Sequence, residues 1–329
     1  MFFLMLACQG KAEIDNIGTT DTRDTADTAD TADTADTADT GEEKPTFDCD
    51  AVPDSYSTEA VDGAKAYHGI AFDDQDRLVG WDGRNSLTTT SYGQSARPWV
   101  PGMKVVEQIV EHPSGDLFTL ADNELIRISP EGGQERILGG LYYAYGLTFA
   151  PDGQLWVADG GLHRVDVETG EKTTFIEAPA ENDWEANLYR DVAFSLDSKR
   201  LYVVSLSKRL EYWDLDDNLD PVGDLQVFAI VPGRWKDGLM IDACGYLWLP
   251  DYDRSSLYRV TPDGSESIAA LSGTELSYTH ALSWGPGGDW SQTALFLPMP
   301  YNQSRVVKME IGVPDGAVVR TWKGEKSRF

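Results

Sequence analysis

The sequence predicts an all-β protein, a six-bladed β-propeller with four antiparallel strands per blade, preceded by a disordered N-terminal tract. Three observations predict it. A pattern of alternating apolar residues, a Pro/Asp/Gly turn and an aromatic-rich strand recurs six times. Its copies start at residues 68, 107, 145, 190, 237 and 280, a spacing near forty of the kind that propeller blades show. No long segment carries the 3.6-residue apolar period of helices, which argues against an α/β organisation.

The clearest copy reads Tyr145-Gly146-Leu147-Thr148-Phe149-Ala150-Pro151-Asp152-Gly153-Gln154-Leu155-Trp156-Val157-Ala158-Asp159. Copies at 237–251, 190–204 and 68–80 repeat it closely, and those beginning at Glu107 and His280 are weaker. Each repeat leaves room for two further strands. In the third these fall near 163–167 and 172–176, around the Thr169-Gly170 turn. Six blades fill residues 62–322 without leftover sequence. Closing them into a ring buries both faces of every blade and leaves only short edges. The propeller domain is assigned to 62–329, and residues 45–61 are expected to cross its underside or to add an outer strand to the last blade.

The chain has 329 residues with 27 basic and 55 acidic side chains, a net charge of −28. Residues 1–44 hold eleven acids and three bases, so the remainder is itself strongly acidic. No Lys/Arg run offsets this, which excludes nucleic acid as a partner. Residues 8–44 contain an Asp-Thr-Ala repeat without large apolar side chains. Such a tract cannot bury enough surface to offset its ordering entropy, and its charge keeps it extended. It is expected to be a disordered stalk. Residues 1–7 are a short apolar run ending at Cys8, which resembles a bacterial lipoprotein signal. That resemblance implies export and a lipid on Cys8 as the sole membrane attachment, on the periplasmic or cell-surface side. No other apolar run is long enough to span a bilayer. The remaining cysteines, Cys49 and Cys244, are expected to form a disulfide in an exported chain, pinning the N-terminal segment beneath the ring.

In a propeller blade the innermost strand lines the channel, and the residue that begins it sits at one face. Those residues are His68, Glu107, Tyr145, Arg190, Asp237 and His280, and every one is polar. Connections between the second and third strands open on the same face and carry Asp82, Asp159, Asp251, Tyr252, Asp253 and Asn302. Polar loops converging over a rigid ring make this mouth the expected site for a small-molecule or protein ligand, served by a monomer. The alternative is a set of polar residues that meet channel water, with Arg190 and Asp237 as a structural ion pair.

Segments 237–251 and 190–204, together with Arg259-Val260-Thr261-Pro262-Asp263-Gly264, resemble the senescence-marker-protein/gluconolactonase/luciferin-regenerating-enzyme family (regucalcin-like), and are also similar to NHL repeats. The resemblance covers residues 62–322 and implies a lactonase dependent on calcium or zinc. The family's metal is held at the mouth by a Glu in the first blade, Asn residues in middle blades and an Asp before Gly. Asp237 matches the last of these. His68 stands at the Glu position, Arg190 at one Asn, and Ala144-Tyr145-Gly146 where the family has Asn-Asp-Gly. The resemblance therefore implies one divalent cation in a modified site. His68, His280 and Asp237 form a nitrogen/oxygen set suited to zinc, with Asp237 as ligand or catalytic base. No Gly-x-Ser-x-Gly, phosphate loop, His-Glu-x-x-His or Cys-x-x-Cys is present. Two functions stay open: a membrane-anchored binding propeller, or a lactonase- or esterase-like hydrolase. A purely structural surface protein is the third.

Overall fold

The computed structural model describes residues 47–179, 188–273, 276 and 278–319. Cys8, the apolar run before it and the acidic tract lie outside the described residues. Within the unit from Lys44 onward, six four-stranded antiparallel sheets form the six blades of a β-propeller.

Blade 1 contains β2 (Ile70–Phe72), β3 (Leu78–Trp81), β4 (Ser86–Thr90) and β5 (Arg97–Pro101). Blade 2 contains β6 (Val106–Glu111), β7 (Leu117–Ala121), β8 (Glu124–Ile128) and β9 (Gln134–Gly139). Blade 3 contains β10 (Gly146–Phe149), β11 (Leu155–Ala158), β12 (Leu162–Val165) and β13 (Lys172–Ile176). Blade 4 contains β14 (Tyr189–Phe194), β15 (Arg200–Ser205), β16 (Arg209–Leu215) and β17 (Pro221–Ile230). Blade 5 contains β18 (Met240–Ile241), β19 (Leu247–Asp251), β20 (Ser256–Val260) and β21 (Ser267–Ser272). The last repeat supplies only β22 (Ser283–Trp284), β23 (Ala294–Met299) and β24 (Arg305–Glu310). Its fourth strand is β1 (Glu59–Ala60), which pairs antiparallel with β24 and sews the two ends of the domain together.

Successive side chains on a strand point to opposite faces, and here each face belongs to a different core. Val192, Phe194, Leu201 and Val203 pack against Trp156 and Leu162 of blade 3. Their neighbours Ala193, Tyr202 and Val204 pack against Leu247 and Leu249 of blade 5. Six such cores lie between consecutive blades among the described residues. The one joining Phe72 and Leu78 of blade 1 to Phe296 and Val306 of blade 6 closes the circle. This two-sided burial explains why β11, β19 and β23 are apolar nearly throughout rather than alternating, since every position is buried. Outer strands such as β9 and β13 have no fully buried position.

On the underside, Cys49 and Cys244 form the expected disulfide, across a sequence separation of 195 residues. Cys244 sits in the turn between β18 and β19. Arg259 reinforces the attachment: its guanidinium pairs with Asp54 Oδ1 at 2.8 Å, donates to the Pro53 carbonyl, and lies over the ring of Tyr246.

Candidate functional site

The mouth is built by a glycine rule that alternates around the ring. In blades 1, 3 and 5 the starting residue is followed by Gly69, Gly146 and Gly238. A Cβ on these glycines would collide with the carbonyl oxygens of Glu107, Arg190 and His280, the starting residues of blades 2, 4 and 6. Absence of a side chain lets neighbouring blades approach there, and so brings their starting residues into contact.

All six starting residues meet at this face. His68 Nδ1 lies 2.9 Å from Glu107 Oε2. The rings of His68 and His280 are 4.0 Å apart between centroids. His280 Nδ1 lies 3.2 Å from Asp237 Oδ2, while Asp237 Oδ1 accepts from Arg190 Nε at 2.7 Å. The Arg190 guanidinium in turn lies over the ring of Tyr145. Glu107, His68, His280, Asp237, Arg190 and Tyr145 thus follow one another in an arc around the channel.

Burial and charge set the protonation of this arc. Burial alone would raise the Asp237 carboxyl, but the Arg190 guanidinium and His280 outweigh it and hold the carboxyl well below the usual range. Burial pushes His280 down, against the pull of Asp237, so the imidazole favours its neutral form. Desolvation raises the Tyr145 phenol, which stays protonated.

One residue further into the channel lies a second polar layer that the repeat alignment did not single out. Gln108 Oε1 accepts from Leu147 N at 2.6 Å, and its amide donates to Asp191 Oδ2 at 3.2 Å. Asp191 also accepts from Val192 N and Leu239 N, and is completely buried. Desolvation raises its carboxyl well above the ordinary value. This layer ties blades 2, 3, 4 and 5 together beneath the mouth.

The loop residues expected at the mouth divide. Asp251 is fully buried and engaged by Lys236 Nζ at 3.6 Å and Arg254 N at 3.0 Å, so it acts as a structural anchor and not as a ligand group. Asp159 is likewise buried, 2.6 Å from His163 Nε2. Asp82 accepts from the backbone N–H groups of Arg84, Asn85 and Ser86, capping its own turn. Asn302 donates its N–H to the Met299 carbonyl within the β23–β24 turn. Asp253 is exposed. Tyr252 does reach the mouth, with its ring 4.5 Å from that of His280.

The resemblance implies calcium or zinc at this mouth. Calcium takes six to eight oxygen ligands. Here both Asp237 oxygens are engaged by Arg190 and His280, and the guanidinium opposes a dication, so calcium does not fit. A nitrogen/oxygen set does fit a transition metal, with one change from the expected trio. Donor atoms of His68, Glu107 and His280 lie within 4.8 Å of one another, so Glu107 takes the place foreseen for Asp237. Neither buried ring nitrogen of His280 meets a hydrogen-bond partner among the described residues, Nδ1 lying 3.2 Å from Asp237 Oδ2 without hydrogen-bond geometry. Asp237 lies on the Nδ1 side of His280, where a second-sphere carboxylate would orient a ligating ring.

Aromatic rings complete the mouth, and most of them had no place in the repeat alignment. Tyr67 packs 4.5 Å from His68, Tyr301 lies 5.9 Å from Tyr67, and the Tyr252 and Tyr301 hydroxyls bond at 3.0 Å. Trp235 stacks on Tyr252 at 5.5 Å and Tyr278 packs on it at 4.9 Å.

No protein-family model matches this sequence, and no curated protein matches it. Solved structures share its fold at low identity. A gluconolactonase from Xanthomonas campestris is 16% identical with a TM-score of 0.63, over 79% of this chain and 90% of that one. A luciferin-regenerating enzyme is 14% identical with a TM-score of 0.62, over 79% and 97%. Regucalcin from Agrobacterium tumefaciens, described as a calcium-binding protein, is 15% identical with a TM-score of 0.59, over 79% and 95%. These similarities establish the six-bladed architecture that the sequence motifs had pointed to.

Proposed function

We propose that the chain is an exported hydrolase of the lactonase or esterase type, acting on a small uncharged substrate at the channel mouth with a zinc-class ion. The observation that carries this reading is the convergence of His68, Glu107 and His280 donor atoms within 4.8 Å, backed by Asp237. The likeness in fold to a gluconolactonase supports the reaction class. An ion held by these three residues would polarise a substrate carbonyl as a Lewis acid. The chain's own residues prepare that site. Burial keeps the His280 imidazole in the neutral form that coordination requires. Asp237 holds the His280 ring from its Nδ1 side, and Arg190 keeps Asp237 ionised while its own charge is neutralised. Glu107 and His68 lie against each other and share one face of the site.

The test is zinc content and lactone hydrolysis on the same purified full-length protein. One zinc per chain is expected, lost in His280→Ala and Glu107→Gln together with zinc-dependent hydrolysis of γ-butyrolactone. Protein that takes up no zinc and hydrolyses no lactone supports the second reading, a binding propeller. That reading draws on Asp237, the one family ligand retained, being engaged by Arg190.

We further propose that Cys8 carries a lipid and that the acidic tract holds the propeller away from the membrane. The Cys49–Cys244 disulfide supports an oxidising compartment. Cys8→Ala should move the protein from the membrane fraction to the soluble exported fraction. An unchanged membrane fraction would remove the anchor.

A further inference from the structure

We propose that the aromatic rings at the mouth form a subsite for an uncharged aryl group on the ligand. This deepens the reading of the mouth as a small-molecule site and rests on it.

Five rings close a circuit: His68, Tyr67, Tyr301, Tyr252 and His280, with the last two 4.5 Å apart and the histidines 4.0 Å apart. Trp235 and Tyr278 extend it outward. Tyr301, Trp235 and Tyr278 are 58%, 43% and 41% exposed, although Tyr252 at their centre is mostly covered. Soluble proteins usually scatter exposed large apolar side chains singly. Here three lie together, one ring away from His280.

These rings are exposed and yet fixed. Lys236, fully buried, donates to the Gly233 carbonyl at 2.9 Å and to that of Ser207 at 3.2 Å, and pairs with Asp251. Tyr252 N donates to the Trp235 carbonyl at 2.8 Å, holding the two stacked rings together. Tyr278 has φ 58°, and Gln303 and Ser304, in the loop that carries Tyr301, have φ 59° and 55°. Left-handed backbone at residues other than glycine is costly, and it tends to persist where a site demands it. Rings held in advance lose little freedom when a flat ligand stacks on them.

Charge and hydrogen bonding select the kind of ring. The buried cations Arg190 and Lys236 are both paired with carboxylates, so neither can receive an anion, while Arg234 and Arg254 are exposed beside Trp235 and Tyr252. Asp253 is exposed in the adjoining loop, and the chain as a whole is strongly acidic. The net charge of −28 opposes an anionic ligand at long range. The Tyr252 and Tyr301 hydroxyls bond each other, which leaves the wall with ring faces to offer and few hydrogen bonds for a sugar. An aryl face is what this surface matches.

Calorimetric titration of the full-length protein tests the subsite with three probes: phthalide, γ-butyrolactone and glucono-δ-lactone. Phthalide is a γ-lactone fused to a benzene ring, so it differs from γ-butyrolactone by the aryl face. It should bind about tenfold more tightly, the worth of one good ring contact. Trp235→Ala and Tyr301→Ala should each weaken phthalide about tenfold and leave γ-butyrolactone within about twofold. Trp235→Phe should restore part of the loss. Tyr92→Ala, at an exposed ring packed on Trp290 outside the circuit, should change neither. Equal affinity for the two lactones, or wall variants without effect, overturns the proposal. So does tighter binding of glucono-δ-lactone that is lost in Trp235→Ala, which would make the occupant a sugar. Hydrolysis of γ-butyrolactone, read on the same samples, separates the two claims. Phthalide preference without turnover keeps the subsite and removes the hydrolase. Turnover without phthalide preference does the reverse.

Discussion

His68 and His280 come from the first and last blades, yet their rings lie 4.0 Å apart, each against a carboxylate from a neighbouring blade. The contact exists only because the ring closes, so the mouth reports on the integrity of the whole domain.

The Arg190–Asp237 pair is almost completely buried, and its partners differ in what their loss would do. Arg190→Met leaves a buried carboxylate uncompensated and should lower the unfolding free energy by about 3–5 kcal/mol in urea titration. Arg190→Met combined with Asp237→Asn should cost less than the two single changes added together. Additive losses would show that the pair is not coupled.

Gly69 sits where a Cβ would strike the Glu107 carbonyl. Gly69→Ala should destabilise by about 1–3 kcal/mol through overcrowding. It should also weaken zinc uptake, because it pushes blade 2 away from His68. Gly93→Ala meets open space and should cost only about 1–2 kcal/mol, from its φ of +68°, with zinc uptake unchanged. Equal zinc uptake in both variants would contradict the close-approach argument.

Removing the disulfide with Cys49→Ser and Cys244→Ser should lower stability by about 2–5 kcal/mol, because it closes a very long loop in the unfolded chain. The zinc content of the folded variant should stay at one per chain, since the bond lies on the opposite face from the mouth. Loss of zinc at full stability would reverse that assignment.

Asp242 gives the stability a pH dependence of definite sign. Burial raises its carboxyl from 3.8 to about 6, against hydrogen bonds from Trp248, Tyr246 and Cys244. Between those values the native state holds a proton that the unfolded chain has released. Stability contributed here is therefore present at pH 4 and falls as pH rises through 6. Asp242→Asn removes that titration. Its unfolding free energy should drop less between pH 4 and pH 7 than the wild type's, by about 1–3 kcal/mol. Parallel pH curves would count against it.

The blades were legible in the sequence because two-sided burial writes a strong signal. Leu155-Trp156-Val157-Ala158 is apolar at every position, and a turn with Gly153 precedes it at a recurring place. The starting residues could be read from the same alignment, as could the alternative that Arg190 and Asp237 pair with each other. Asp251 and Asp159 misled because an Asp at a strand connection looks the same whether it faces a ligand or a buried partner. Lys236 and His163 decide it, and neither partnership leaves a mark in the spacing. The aromatic circuit was hidden for a related reason. Tyr67 stands one residue before its blade's starting residue, Trp235 and Tyr278 two before theirs, and Tyr301 in a strand connection, so the repeats align part of the wall but only the closed ring shows which of these rings meet.

The seam between β1 and β24 has a further consequence, for the timing of assembly. Glu59 pairs with Lys308 and Ala60 with Val307, so a strand made before blade 1 waits for β24 of blade 6. The inner five blades can each pair their own strands as they emerge, because those contacts are local. Blade 6 has no such independence. Until β23 and β24 leave the ribosome, the surface of Ile70 and Phe72 that Phe296 and Val306 will cover stays exposed. Closure of the ring thus waits for β24, and a chain truncated before residue 305 would remain an open arc.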